Sequence, residues 1–143
     1  MTGKYVTQKY KLTKKNIGDA GLDVCASELV TIPPRKHALV STGIRLAIPE
    51  NHVGLLWSRS GLSSKLGIEV GAGCIDSSYR GEIKVNIFNH GDDNFLIQPG
   101  DRIAQLLTIP IMPNLYEEVD DLDETDRGSD GFGSTGINDT QED

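Results

Sequence analysis

The sequence lacks the features that define several large classes of protein. It has two cysteines in 143 residues, so a disulfide framework is not expected, and its three histidines show no metal-ligand spacing. No apolar run approaches the ~20 residues that cross a bilayer, and the basic N-terminal segment has no apolar stretch typical of a secretory signal. These absences predict one domain inside the cell, in the cytoplasm or nucleus, with no membrane contact.

The charge is acidic in total but unevenly distributed. The 14 basic and 21 acidic residues give a net charge of −7, which disfavours direct binding of nucleic acid. Residues 1–116 nevertheless carry 13 bases and 10 acids, whereas residues 117–143 carry one base and 11 acids. We therefore divide the chain into a body, residues 1–116, that can attract an anion, and an acidic linker followed by a glycine-rich arm, residues 117–143.

The body has the sequence patterns of short β-strands. Apolar and polar residues alternate over 44–48 and 83–87, which predicts half-buried strands. The denser apolar run 106–111 predicts a strand covered on both faces. One short helix is predicted over Ser60–Leu66, ending at Gly67. Together these patterns predict an all-β, jelly-roll-like sandwich or barrel.

Three residues at the start of the predicted helix form a candidate anion site. Arg59, Ser60 and Gly61 supply a cation, a hydroxyl and backbone N–H groups without helical partners. An ordinary capped helix turn has the same composition and is the alternative interpretation.

A second candidate is GAGCIDSSYRGE, residues 71–82. Glycines at both ends of an apolar pair predict a tight hairpin whose backbone comes close to a ligand. Asp76 is a candidate general base and Tyr79 a candidate flat wall. A plain hairpin with a turn aspartate and a surface tyrosine is the alternative.

The tail segment RGSDGFGSTG, residues 127–136, suits a phosphate and a flat ring. Its glycines let backbone N–H groups converge, and Ser134 and Thr135 add hydroxyl donors. Arg127 adds a charge-assisted contact, and Phe132 can stack on a nucleobase or sugar. A flexible linker is the alternative, but linkers rarely carry an arginine and a phenylalanine so placed.

Polar residues also interrupt two apolar segments, AGLDV and GDRIAQL. Asp23 and Gln105 are candidates for function, or else satisfied polar groups of the core. Asp101 and Arg102 are candidates for an ion pair within a turn.

Five segments in this order resemble those of the trimeric deoxyuridine triphosphatases (dUTPases). They are AGLDV, SRSGLSSK, GAGCIDSSYRGE, GDRIAQL and RGSDGFGSTG, and they span residues 20–136. The resemblance implies a Mg²⁺-dependent enzyme that hydrolyses dUTP to dUMP and pyrophosphate, which keeps uracil out of DNA and supplies dUMP for thymidylate synthesis. It also implies a homotrimer whose subunits share each active site, with a mobile C-terminal arm that closes over the substrate.

The resemblance assigns roles to individual residues. Asp76 would activate the water that attacks the α-phosphate, and Asp23 would hold Mg²⁺ through the waters of the ion. The phosphates would be bound by Arg59, Ser60, Gly61, Gln105, Arg127, Gly133, Ser134 and Thr135. The nucleoside would be bound by Gly73, Cys74, Ile75, Tyr79, Lys84 and Phe132.

The sequence departs from the family pattern at a few positions. Ser58 stands where proline is common, which we expect to loosen the approach to the phosphates. Cys74 replaces an aliphatic residue, Ser78 replaces a frequent acid, and Asp130 adds a negative charge to the closing loop.

Two alternative functions differ in class from this one. A dCTP deaminase is related in fold, but Asn86 stands where those enzymes carry a catalytic glutamate, which disfavours deamination. A binding module would keep the fold and contact an unidentified regulatory protein.

Overall fold

The computed structural model describes residues 2–112 and 116–130. Within these residues the chain forms ten β-strands and one α-helix. They are, in chain order, β1 (Lys4–Thr7), β2 (Leu22–Cys25), β3 (Val30–Ile32), β4 (His37–Ala47), β5 (His52–Trp57), α1 (Ser60–Leu66), β6 (Ile68–Gly71), β7 (Cys74–Ile75), β8 (Glu82–Asn89), β9 (Phe95–Ile97) and β10 (Arg102–Pro110).

The strands form two four-stranded antiparallel sheets and a two-stranded ladder. The first sheet has the order β1-β4-β8-β6 and the second has the order β2-β10-β5-β7, while β3 pairs with β9. Hydrogen-bonded neighbours are mostly not consecutive in the chain, because the chain crosses repeatedly between the sheets, as in a jelly roll. The predicted all-β, jelly-roll-like fold with one short helix is confirmed.

A single apolar core lies between the sheets. It takes Val40, Val85 and Ile87 from the first sheet and Val24 and Leu106 from the second. The alternation predicted over 44–48 and 83–87 is confirmed, since the isoleucine, leucine and valine residues of both segments are buried. Each strand therefore turns one face to the core and the other outward.

The strand predicted over 106–111 is confirmed as far as Pro110, but its predicted coverage on both faces is wrong beyond Leu107, because residues 108–111 are exposed. β10 buries Ile103, Ala104 and Leu106, but Ile109 is 38% exposed and Ile111 is 48% exposed. The pairing of β10 with β5 continues to Pro110, so the second half of β10 stays in the sheet although its side chains are exposed.

The segment 71–82 does not form the predicted hairpin of two paired strands. β6 pairs with β8 in the first sheet, whereas β7 pairs with β5 in the second. Ala72, with a left-handed φ of 49°, and Gly73 carry the chain from one sheet to the other. A Cβ on Gly73 would collide with the carbonyl oxygen of Leu56, so this crossing requires glycine.

The helix α1 begins and ends where the sequence predicts. Arg59 is its N-cap residue and makes no side-chain capping bond. Gly67 ends the helix at a φ of 64°, and its N–H donates to the carbonyl of Ser63 over 3.0 Å. Leu62 packs against the core, which orients the first turn of this short helix.

Contacts divide the chain into two units, Met1–Pro113 and Asn114–Asp143. In the described part of the second unit, residues 116–130, there are turns but no helix or strand, and every residue is exposed. Among the described residues, no helix is long and apolar enough to cross a membrane.

Candidate active site

A cleft of about 430 Å³ brings together several of the predicted phosphate-binding residues. It lies beside the pairing of β2 with β10, which places Asp23 opposite Gln105. Arg59, Ser60 and Gly61 also line it, from the start of α1. We call this the anion cleft.

Asp23 lies between two arginines in the anion cleft. Its Oδ1 is 3.2 Å from Nε of Arg59, and its Oδ2 is 3.2 Å from Nη1 of Arg102. The Asp23 side chain is 16% exposed, so the two ion pairs are partly shielded from water. The predicted turn ion pair between Asp101 and Arg102 was wrong, because Asp101 instead accepts the N–H of Gln98 over 2.8 Å. One carboxylate thus orders two guanidinium groups that line the cleft.

The cysteine next to this cluster adds no charge to it. Cys25 is buried at the end of β2, and its register partner across the ladder is Arg102. Burial, followed by the nearby Asp23 carboxylate, raises the pKa of the Cys25 thiol. The thiol therefore stays neutral at physiological pH.

Gly61 leaves open space in the wall of the anion cleft. It has no positive φ, and a Cβ built on it would meet nothing within 4 Å. Neither the backbone conformation nor packing within the chain therefore requires glycine here. The N–H groups of this first helical turn have no partner inside the helix, so a phosphate oxygen could approach the backbone directly.

Gln105 is oriented by its neighbours. Its Nε2 donates to the carbonyl of Ser58 over 2.9 Å, and its Oε1 would lie 2.9 Å from a Cβ on Gly21. Ser58 also accepts the N–H of Val70 on its hydroxyl over 2.9 Å. This bond ties the residue that follows β5 to β6, which proline could not do. The expectation that Ser58 loosens the approach to the phosphates stays a prediction.

A second cleft, of about 450 Å³, contains most of the predicted nucleoside-binding residues. Cys74, Ile75, Asp76, Tyr79 and Lys84 line it. We call it the Asp76 cleft. Gly73 does not line this cleft but the neighbouring depression, which it shares with Cys74.

The loop after β7 positions Asp76 and Tyr79. The Tyr79 N–H donates to the Asp76 carbonyl over 3.1 Å, which closes a turn. The Tyr79 hydroxyl donates to the Glu82 carbonyl over 3.0 Å, and its ring covers Gly81, where a Cβ would collide with it. Tyr79 is 47% exposed, so its ring can still contact a ligand. Asp76 is exposed, and within the described residues its carboxylate accepts no hydrogen bond.

Apart from Gly73, the structure therefore groups the predicted site residues of the body into two clefts with no lining residue in common. In the second unit, Arg127 is exposed and its Nε donates to the carbonyl of Asp130 over 3.0 Å. The predicted arm residues Phe132, Gly133, Ser134 and Thr135 lie outside the described residues.

Four polar residues that line the anion cleft were not predicted from the sequence to be site residues. They are Lys15, Asn16, Asp19 and Arg102. The first three lie in the loop between β1 and β2, and composition offers a signal for it, because the first 18 residues contain five lysines and no acid. Arg102 gave no such signal, since its contact with Asp23 depends on the pairing of two strands that are distant in sequence.

The residues of the anion cleft limit how a metal ion can bind. No cluster of three histidine, cysteine, aspartate or glutamate residues able to hold an ion occurs in the described parts of the chain. The cleft offers two carboxylates: Asp23 already contacts two arginines, and Asp19 already accepts the N–H of Asn16. This set does not fit an ion held by side chains alone, but it fits Mg²⁺ that keeps its waters and takes its other ligands from a polyphosphate.

The two-sheet jelly roll, the arginine-lined anion cleft and the exposed carboxylate of the second cleft define a β-sandwich protein with a cleft suited to an anionic ligand. The family model described as dUTPase matches residues 8–136. The chain belongs to the dUTPase family.

Individual relatives agree with this assignment. The chain is 48% identical over 118 residues to the deoxyuridine 5'-triphosphate nucleotidohydrolase of Oryza sativa subsp. japonica, covering 82% of this chain and 69% of that one. It is 49% identical over 123 residues to the corresponding enzyme of avian adenovirus 8, and the match covers 86% of this chain and 76% of the viral one. It is 47% identical over 126 residues to the mitochondrial human enzyme, and the match covers 88% of this chain and 50% of the human one.

Solved structures have the same fold. The dUTPase of Staphylococcus bacteriophage 80alpha with dUPNHPP has a TM-score of 0.87 at 30% identity, covering 95% of this chain and 99% of that one. A mutant dUTPase from phage phi11 of S. aureus, described with a structural Mg(II) ion, has a TM-score of 0.79 at 27% identity, covering 87% and 100%.

Proposed function

We propose that this chain hydrolyses dUTP to dUMP and pyrophosphate in sites shared between the subunits of a homotrimer. The observation that carries the shared site is the separation of the two clefts: the predicted phosphate-binding and nucleoside-binding residues of one body line different surfaces. A site that combines the anion cleft of one subunit with the Asp76 cleft of another would bring the two sets together.

Asp76 is the proposed general base. An exposed carboxylate without a protein partner in the described residues is free to accept a proton from water. The water oxygen forms a bond to the α-phosphorus, and the bond from that phosphorus to the bridging oxygen of the β-phosphate breaks. The proton passes to Asp76, and pyrophosphate leaves with the bridging oxygen and its electron pair.

The anion cleft binds the phosphates in this proposal. Arg59 supplies charge, Gln105 an amide, and Ser60 and Gly61 the backbone N–H groups of an open helical turn. Asp23 would contact the waters of a Mg²⁺ ion whose other ligands are phosphate oxygens. When bound, the ion would offset the phosphate charge.

The Asp76 cleft binds the nucleoside in this proposal. Gly73, Cys74 and Ile75 would present backbone donors and acceptors that match uracil, and cytosine would leave some of them unpaired. Tyr79 would lie beneath the deoxyribose and exclude a ribose hydroxyl, and Lys84 lies on the returning strand.

We also propose that the tail, residues 117–143, completes the site. Arg127, Gly133, Ser134 and Thr135 would contact phosphate, and Phe132 would stack on the base. The acidic run from Glu117 to Asp126 would remain in solvent. The two free cysteines, Cys25 and Cys74, favour a reducing location inside the cell.

The test is pyrophosphate release from dUTP with Mg²⁺, compared with release from dCTP, dTTP and UTP. We expect release from dUTP alone, and a loss of about 10²- to 10⁴-fold in kcat for Asp76→Asn. Asp93→Asn, an exposed aspartate outside both clefts, is the matched control and should retain full activity.

Other outcomes discriminate between the alternatives. Ammonia released from dCTP would replace hydrolysis with deamination. Inactivity on all four nucleotides would leave a binding module. Full activity of Asp76→Asn would remove Asp76 from the chemistry while leaving the substrate assignment intact.

A further inference from the structure

The loop between β1 and β2 forms part of the anion cleft. Its residues Lys15, Asn16 and Asp19 line the cleft together with Arg59 and Gln105. The first of the five segments that carry the family resemblance, AGLDV, begins at Ala20, so Lys15, Asn16 and Asp19 lie outside all five. The position of this loop in the wall of the cleft is therefore seen in the structure and not in the sequence motifs.

The loop is tied to itself and to β2. The Asp23 N–H donates to the Thr13 carbonyl over 2.7 Å, which anchors the loop beside the cleft. Lys14 donates its Nζ to the Asp19 carbonyl over 2.6 Å, and the Asn16 N–H donates to Oδ2 of Asp19 over 2.8 Å. That backbone donor from Asn16 is the main reason the pKa of Asp19 is lowered, so Asp19 remains a carboxylate at neutral pH.

Lys15 differs from its neighbour Lys14 in what it contacts. Lys14 is used within the loop, whereas Lys15 is exposed, and the described residues give its ammonium neither a hydrogen bond nor an ion pair. A cation that lines a cleft without a partner keeps its full capacity to bind an incoming anion.

Lys15 also decides the net charge of the cleft. The cleft is lined by three cations, Lys15, Arg59 and Arg102, against two carboxylates, Asp19 and Asp23. The lining therefore carries a net charge of +1, and without Lys15 it would be neutral. A polyanion such as a triphosphate is attracted by a lining with a net charge of +1, and much less by a neutral one.

We propose that Lys15 is a further phosphate-binding residue, which contacts the phosphate chain of the substrate from the loop between β1 and β2. The assignment of the triphosphate to this cleft rests on the function proposed above. The role of Lys15 is in binding, because its ammonium is a flexible, exposed point charge and not a group held against the reacting atoms.

The experiment compares Lys15→Gln with Lys11→Gln in the full chain. Lys11 is an exposed lysine outside the cleft, so its replacement makes the same change in net charge. The first readout is the Kd of inorganic tripolyphosphate by titration calorimetry, and the second is the pair of KM and kcat for dUTP. Tripolyphosphate binding reports on Lys15 even if the chain does not hydrolyse dUTP, so the failure of each proposal is separately visible.

For Lys15→Gln we expect Kd and KM to rise about threefold to tenfold at low salt, with kcat little changed. The loss should shrink at an ionic strength of about 0.5 M, because screening weakens an exposed charge contact. Lys15→Arg keeps the positive charge and should bind tripolyphosphate nearly as tightly as the wild type. Lys11→Gln should bind it as the wild type does.

Two results would overturn the assignment. Equal losses for Lys15→Gln and Lys11→Gln would mean that overall charge, and not a contact, is responsible. Unchanged tripolyphosphate binding in Lys15→Gln would mean that the loop does not reach the phosphates.

Discussion

At the scale of single residues, Gly61 separates a binding requirement from a folding requirement. Glycine in a helix costs stability relative to alanine, and this helix has only seven residues. Apart from its chain neighbours and the backbone of its own helix, no atom of the described residues lies within 4 Å of the missing Cβ, so packing in this part of the chain does not offset the cost. In the function proposed above, this space takes a phosphate oxygen of the substrate.

We expect Gly61→Ala to leave the fold as stable as before, or up to ~1 kcal/mol more stable, because alanine is the better helix former. The same change should raise the KM for dUTP about tenfold, since the methyl group occupies the space proposed for a phosphate oxygen. Thermal unfolding and steady-state kinetics measure the two effects. Ser64→Ala, in the same helix but outside both clefts, is the control, and an unchanged KM for Gly61→Ala would contradict the proposal.

The sequence identified those site residues whose neighbours in the chain carry the signal. Arg59 and Gly61 stand side by side at a helix start, and the structure places both in the anion cleft. Arg102 and Lys15 could not be found in the same way. Each reaches the cleft through strand pairing or loop closure, which the local residue pattern does not encode.

At the scale of elements, the segment after α1 shows the limit of local patterns. Glycines around an apolar pair predicted a tight hairpin over 71–82, and the structure instead has a crossing between sheets at Ala72 and Gly73. They did not reveal that β6 and β7 join different sheets, because a residue pattern does not record which strand will be the hydrogen-bonding partner. The strands with clean alternation, such as β8, were predictable since one face must meet the core.

A connection between elements gives a pH-dependent prediction. Glu28, between β2 and β3, accepts the N–H of Ser41 on β4 over 2.6 Å. This bond lowers the pKa of Glu28 below its ordinary value of 4.5, so the folded state favours the ionised form. The resulting stability is present above that value and is lost as the pH falls through the lower pKa of the folded state.

We therefore expect Glu28→Gln to lower the Tm at neutral pH, because a neutral amide oxygen is the weaker acceptor. The difference from the wild type should disappear in acid, below the lowered pKa, where Glu28 also becomes neutral. Thermal unfolding of both proteins across this range of pH measures it. A Tm difference that stays constant over the range would show that the charge of Glu28 is not involved.

At the scale of the whole molecule, the two clefts make a prediction about mixed assemblies. Asp76→Asn damages one cleft and Gln105→Ala the other, and each variant alone should be inactive or nearly so. If a site takes its two clefts from different subunits, equal random mixing should restore about a quarter of the wild-type activity, because half of each kind of cleft is intact.

The mixture is prepared by unfolding the two variants together and refolding them, with dUTP hydrolysis as the readout. The same two variants refolded separately and then combined are the control for exchange of subunits. Activity that never exceeds the sum of the separate variants would place the complete site within one chain.

The separation of the two clefts also makes activity a measure of assembly. In a trimer built this way an isolated chain has no complete site, so dilution below the dissociation constant of the trimer removes activity even where the separated chains stay folded. The rate would then fall with about the third power of chain concentration. Suppose that a cell holds this chain at a concentration near the dissociation constant of the trimer. Halving the supply of the chain would then remove far more than half of the capacity to hydrolyse dUTP.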